Sequence, residues 1–127
     1  MSLELLATDK APGAVGPYSQ GVKAGNMIFT SGQLPFILET GELLTNDIQA
    51  ETRLALDYVK SVLSAGGATL EDVVKVTVFV TDINNFSLIN EVYAEYFNKH
   101  KPARSLVEVS KLPKGGNIEI EAIAITK

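Results

Sequence analysis

The chain has 127 residues, a formal net charge of −4, 46% hydrophobic and 20% charged residues, one histidine and no cysteine or tryptophan. That length suits one domain over 1–127 with a single core of ordinary size, and the absent cysteines exclude disulfides, thiolate nucleophiles and cysteine-built zinc sites. The negative charge and scattered lysines and arginines argue against a nucleic-acid partner, and the lone His100 argues against a histidine-built metal site or a Ser-His-Asp triad.

The N-terminus carries Glu4 early, with only a short apolar run and no basic region before it. It therefore reads as neither a secretory signal nor a transit peptide. No apolar run approaches a membrane span, and a cytoplasmic location is expected. Leu3 to Ala7 forms a first short strand, followed by a loop punctuated by Pro12, Gly13, Gly16 and Pro17 that delivers Tyr18 from a turn. Gln20 to Ala24 and Met27 to Gly32 read as two strands around a Gly25-Asn26 hairpin. Thr30-Ser31-Gly32-Gln33 ends the second with small polar residues, and Pro35 stops regular pairing. Glu39 to Glu42 forms an exposed turn.

From Asp47 the period changes. Ile48, Thr52, Ala55, Leu56, Val59, Leu63 and Gly66 form the apolar stripe of an amphipathic helix, with Gln49, Glu51, Arg53, Asp57 and Lys60 on its other faces. Asn46 or Asp47 caps its start and Gly66-Gly67 its end. Val73 to Thr81 is the most β-like run, placing Val74, Val76, Val78 and Val80 on one face and Val73, Lys75, Thr77 and Phe79 on the other. A second helix is expected from about Asn85 to Lys99, capped by Asp82 or Asn84, with Phe86, Ile89, Tyr93, Tyr96 and Phe97 as its buried stripe. Asn90 falls at the edge of that stripe, suited to a helix-edge hydrogen bond, and His100 reads as a solvated helix-end residue.

The last quarter carries charge on strands. Arg104 lies in Pro102-Ala103-Arg104-Ser105, and Glu119 and Glu121 alternate with Ile118, Ile120, Ala122 and Ala124. Uncompensated charge on half-buried strands is costly. Either Arg104 pairs with Glu108, Glu119 or Glu121 and serves structure alone, or its guanidinium fork faces a small carboxylate ligand with a glutamate nearby for proton chemistry. The order of elements gives a two-layer α+β domain with a mixed six-stranded sheet and two helices on one face. Ile123 and Ile125 make the other face apolar too, so a homo-oligomer packed through the helix-free side is expected. Pairing of the last two strands stays open. A simple hairpin would bring Glu108 close to Glu119, which favours a crossover.

Pro102-Ala103-Arg104-Ser105 with Val107, Ser110 and Leu112, followed by Ile118-Glu119-Ile120, resembles the signature of the RidA family, also called the YjgF/YER057c/UK114 family. Ala14-Val15-Gly16-Pro17-Tyr18-Ser19-Gln20, Thr30-Ser31-Gly32-Gln33-Leu34-Pro35 and Val76-Thr77-Val78-Phe79-Val80 extend the resemblance across nearly the whole chain. It implies a chorismate-mutase-like fold assembled as a homotrimer with clefts between subunits. It also implies hydrolysis of reactive 2-imino acids or their enamines to 2-oxo acids and ammonia, without metal or organic cofactor. By the same resemblance Arg104 holds the substrate carboxylate, Glu119 serves the imine nitrogen and the attacking water, Tyr18 closes the cleft, Ser31 and Gly32 line it, and Asn90 is a polar cleft residue. Two departures stand out. Leu106 replaces the cysteine frequent in close relatives and is expected to narrow the pocket in favour of smaller imines, and the connection 98–101 is short. A small-carboxylate-binding regulatory protein without turnover is the alternative, and a ribonuclease suits the negative charge poorly.

Overall fold

A computed structural model describes residues 2–127. Six strands form one mixed sheet: β1 (Leu3–Leu6), β2 (Gly21–Ala24), β3 (Met27–Thr30), β4 (Val73–Val80), β5 (Ala103–Glu108) and β6 (Ile118–Ile125). Their spatial order is β1-β2-β3-β6-β4-β5. Only β4 and β5 run parallel, which requires the crossover supplied by helix α2 (Phe86–Tyr96). The last strand is thus inserted between β3 and β4, and the crossover that the Glu108–Glu119 conflict favoured is what forms.

Helices α1 (Ile48–Ala65) and α2 cover the same face. Ala55, Leu56, Val59 and Leu63 of α1 and Ile89 and Val92 of α2 share one buried cluster with Val76, Val78 and Val80 of β4 and Ile118, Ile120, Ala122 and Ala124 of β6. Strand alternation sends the intervening residues to the opposite face, which no helix covers. There the register aligns Leu3 and Leu5 with Ala24 and Val22, these with Met27 and Phe29, and these in turn with Ile125 and Ile123. Leu3, Leu5, Met27, Phe29 and Ile125 are all exposed. No described helix is long and apolar enough to cross a membrane.

Four local expectations are corrected. On β4 the pairing slips between Val73 and Lys75, so Val73 joins the core while Val74, the extra residue, is 42% exposed. A bulge breaks the period-2 alternation that the sequence alone implies. In α2, Val92 is buried and Phe86 is 42% exposed, because a short 3₁₀ turn at Ile83–Asn85 precedes the helix and rotates its first turn outward. The helix stops at Tyr96 rather than Lys99, since Phe97 turns into the core and its ring packs 5.0 Å from that of Tyr93. His100 therefore does not end a helix. Its Nε2 lies 2.5 Å from the Val73 carbonyl at the head of β4.

The fourth correction is Glu51, expected on a solvated face but only 1% exposed. Asp47 caps α1 by accepting from the Ala50 amide at 3.2 Å, and Glu51 reciprocates by accepting from the Asp47 amide at 2.9 Å. Its second oxygen accepts from Asn117 Nδ2 at 3.0 Å, tying the start of α1 to the start of β6. A buried carboxylate is tolerable only with such donors. Glu51→Ala leaves the Asp47 amide without its acceptor while Asn117 keeps its bond to the Thr45 carbonyl, so chemical denaturation should show a loss of roughly 1.5–3 kcal/mol, the range of one hydrogen bond to a charged group.

Candidate active site

Glu119 stands opposite Phe79 on the helix-free face, between the fully buried Ile118 and Ile120. Its surroundings are shaped by an irregularity in the neighbouring β3. Phe29 pairs with Ile123 and Gln33 with Ile120, so the three residues 30–32 face the two residues 121–122. The bulge costs Ala122 its backbone acceptor, and the Thr30 hydroxyl substitutes by accepting from the Ala122 amide at 3.0 Å. Gly32 lies at this bulge with its missing side chain directed at Glu119. A Cβ there would fall 1.8 Å from Oε2. Only glycine lets the carboxylate lie against the backbone.

The carboxyl of Glu119 is pushed above the ordinary glutamate range by burial first and by the charge of Glu121 second. Ser31 next to it is fixed by two bonds: its amide donates to the Gln20 carbonyl at 2.8 Å and its hydroxyl to the Ser19 carbonyl at 2.6 Å. The buried Gln20 amide in turn accepts from the Thr8 amide at 2.7 Å and donates to the Thr8 and Pro12 carbonyls at 3.0 and 2.8 Å. It thereby ties down the loop that ends in Tyr18. Tyr18 is half exposed, and its hydroxyl accepts from the Val15 amide at 3.4 Å. A cavity of about 320 Å³ lies between Val15, Tyr18, Gly32, Leu34 and Ile37.

Arg104 sits elsewhere. On the edge strand β5 it pairs in register with Val76, which fixes it on the helix-covered face. Its Nη1 donates to Asn90 Oδ1 at 2.8 Å, and its guanidinium carbon lies 4.5 Å from the Tyr93 ring centroid and 5.7 Å from that of Phe86. None of the acids considered as structural partners meets it. Glu108 accepts from the Ile83 amide at 2.9 Å, Glu119 and Glu121 face the other way, and among the described residues the salt bridge is Arg53–Glu95. Leu106 shares the face of Arg104, half-buried and packed against the core.

The candidate residues thus fall into two groups. Tyr18, Ser31, Gly32 and Glu119 belong to one, and Arg104, Asn90 and Leu106 to the other, on opposite faces of the sheet with β4 between Arg104 and Glu119. Gln20 and Tyr93 carry structural weight that the sequence reading did not assign. A glutamine opening a strand beside a Pro/Gly loop was the available signal for the first.

The sequence model of the family described as Endoribonuclease L-PSP matches residues 8–126. The chain belongs to the RidA family. Among its relatives, a RutC family protein of Pyrococcus abyssi is 52% identical over 98% of each chain. The 2-iminobutanoate/2-iminopropanoate deaminase of Escherichia coli is 50% identical over 96% of this chain and 97% of that protein. The crystal structure of Escherichia coli TdcF with bound serine superposes with a TM-score of 0.92 at 48% identity, covering 98% of this chain and 99% of TdcF. The mixed six-stranded sheet with two helices is therefore the RidA-family fold.

Because the Glu121 charge helps to hold the Glu119 proton, Glu121→Gln should lower the pH at which Glu119 titrates. Carboxyl carbon NMR of the two proteins checks this, and an unmoved midpoint would show that the two carboxylates do not interact.

Proposed function

We propose that the chain hydrolyses small 2-imino acids and their enamine tautomers, 2-iminopropanoate and 2-iminobutanoate among them, to 2-oxo acids and ammonia. The observation that carries this reading is a half-buried carboxylate, Glu119, pressed against a bare glycine backbone in a chain whose deaminase relative is 50% identical over nearly its whole length. In the cytoplasm such an activity would protect pyridoxal-phosphate enzymes from the reactive imines they release.

The site is completed between copies of the chain in a homotrimer. Two observations support assembly: Arg104 and Glu119 cannot meet one small ligand from opposite faces of one sheet, and the helix-free face exposes Leu3, Leu5, Met27, Phe29, Val107 and Ile125. An apolar face of that extent is covered in stable proteins. Arg104 of one copy then holds the substrate carboxylate through a bidentate fork, a task Lys performs poorly. Asn90 and Leu106 border that fork, and Ser31, Gly32, Tyr18 and Glu119 of the next copy receive the imine.

The iminium carbon accepts water readily once water is oriented. Water adds to C2 as its proton passes to the Glu119 carboxylate. The resulting carbinolamine collapses when that proton is returned to nitrogen and the regenerated carboxylate takes the hydroxyl proton, so that C=O forms as the C–N bond breaks and ammonia leaves. A carboxylate also favours the protonated iminium by its charge, so one residue serves both steps. The mechanism invokes no metal or organic cofactor. Net charge −4 gives a ribonuclease reading no support.

Turnover of freshly generated iminopropanoate tests the reading. Arg104→Lys keeps charge but loses the fork and should mainly raise KM, by roughly 1.5–3 kcal/mol of binding. Glu119→Gln should mainly lower kcat, by about 10²–10⁴-fold. Equal and small effects would return both residues to structural roles, and oxo-acid binding without turnover would favour the regulatory alternative.

A further inference from the structure

Arg104 is the cation on which carboxylate binding rests, and helix α2 of its own chain holds it from three directions. Asn90 Oδ1 accepts from Nη1 at 2.8 Å and fixes the roll of the guanidinium about its own axis. The Tyr93 ring lies under the guanidinium, 4.5 Å from its carbon to the centroid, and the Phe86 ring flanks it at 5.7 Å. Asn90 occupies one of the five N–H donors, while stacking on a ring consumes none. A full parallel pair of donors stays available for a carboxylate.

Among the described residues the buried Tyr93 hydroxyl has no hydrogen-bond partner. Burial pushes its pKa up to about 12 even though the nearby Arg104 charge acts in the opposite direction. The ring face is what meets the cation. Residues at three- and four-residue steps along one helix share a face, and Phe86, Asn90 and Tyr93 are separated by four and three.

We propose that Tyr93, assisted by Phe86, is a positioning residue for the deaminase reaction: its ring face presets the Arg104 fork in the carboxylate-binding orientation before substrate arrives. An extended arginine with free rotamers would have to be ordered on binding, and a stacked one is already in place. The inference rests on the reading that Arg104 binds the substrate carboxylate. It adds that affinity depends on an aromatic platform that touches no substrate.

The test compares Tyr93→Leu with the conservative Tyr93→Phe in the assembled protein. Steady-state turnover of iminopropanoate would be paired with calorimetric binding of pyruvate, so that one readout does not require catalysis. Tyr93→Leu removes the quadrupole and should raise KM and the pyruvate Kd roughly three- to thirtyfold, with kcat changed less than KM. Tyr93→Phe keeps the ring, so it should rescue both constants. If Tyr93→Leu does not fold, Phe86→Leu at its exposed position provides the measurement, with a rise of roughly twofold in the same constants. Unchanged KM and Kd in Tyr93→Leu, or in Phe86→Leu where that variant stands in, would overturn the proposal. So would a loss in Tyr93→Phe as large as in Tyr93→Leu, since the hydroxyl would then be the active part. Arg104→Lys separates the two levels. If it leaves the pyruvate Kd unchanged, the carboxylate-binding reading itself fails, whereas a weakened Arg104→Lys beside an unaffected Tyr93→Leu defeats the platform alone.

Discussion

The insertion of β6 between β3 and β4 is the constraint on which the rest depends. With Ile118, Ile120, Ala122 and Ala124 packed into the core, strand alternation leaves Glu119 and Glu121 no choice but the helix-free face. A slip of one residue would bury both carboxylates and expose the isoleucines, so the register is strongly specified. The parallel pairing of β5 to β4 makes the complementary choice for Arg104, aligning it with Val76 on the covered face. One sheet thus separates the cation from the carboxylate by its own thickness.

That separation explains several otherwise unrelated features. The helix-free face is apolar at its β1-β2-β3 end and acidic near the bulge, so a covering copy would exclude water and bring its own charges. Glu119, raised by burial and by Glu121, makes no salt bridge among the described residues. Arg104, fixed by Asn90 and Tyr93 on an edge strand, is likewise in no salt bridge among the described residues. Under the proposed shared site, like-for-like assembly would bring the Arg104 group of one copy to the Glu119 group of the next without adding a new component. Opposite charges brought together in a water-poor cleft interact more strongly than at a surface.

Much of this was legible in the sequence because it follows from periodicity. The alternation over residues 118–125 located both the core face and the carboxylates, the three- and four-residue steps from Ile48 located α1, and the clash expected between Glu108 and Glu119 pointed to the crossover. What escaped depends on contacts between distant segments. The slip at Val74 is a property of the β4–β6 pair, invisible in either strand alone. Glu51 is buried because Asn117 reaches it across 66 positions of chain. On the residues alone Arg104 read either as half of an ion pair or as a fork for a small carboxylate, and its neighbours are an amide and two rings on α2, which become apparent only once the helix is seated over β5. The glycine at position 32 was legible as a small residue at the end of a strand, whereas its contact with Glu119 required the bulge.

Subunit complementation tests most directly the claim that one site draws on two copies. Arg104→Ala and Glu119→Gln would each be prepared as a nearly inactive protein, then mixed in equal amounts, dissociated and reassembled. If each site takes its guanidinium from one copy and its carboxylate from the next, random mixing should restore about a quarter of the wild-type specific activity. No recovery from a verified mixed assembly would place both residues' roles within a single chain and contradict the shared site.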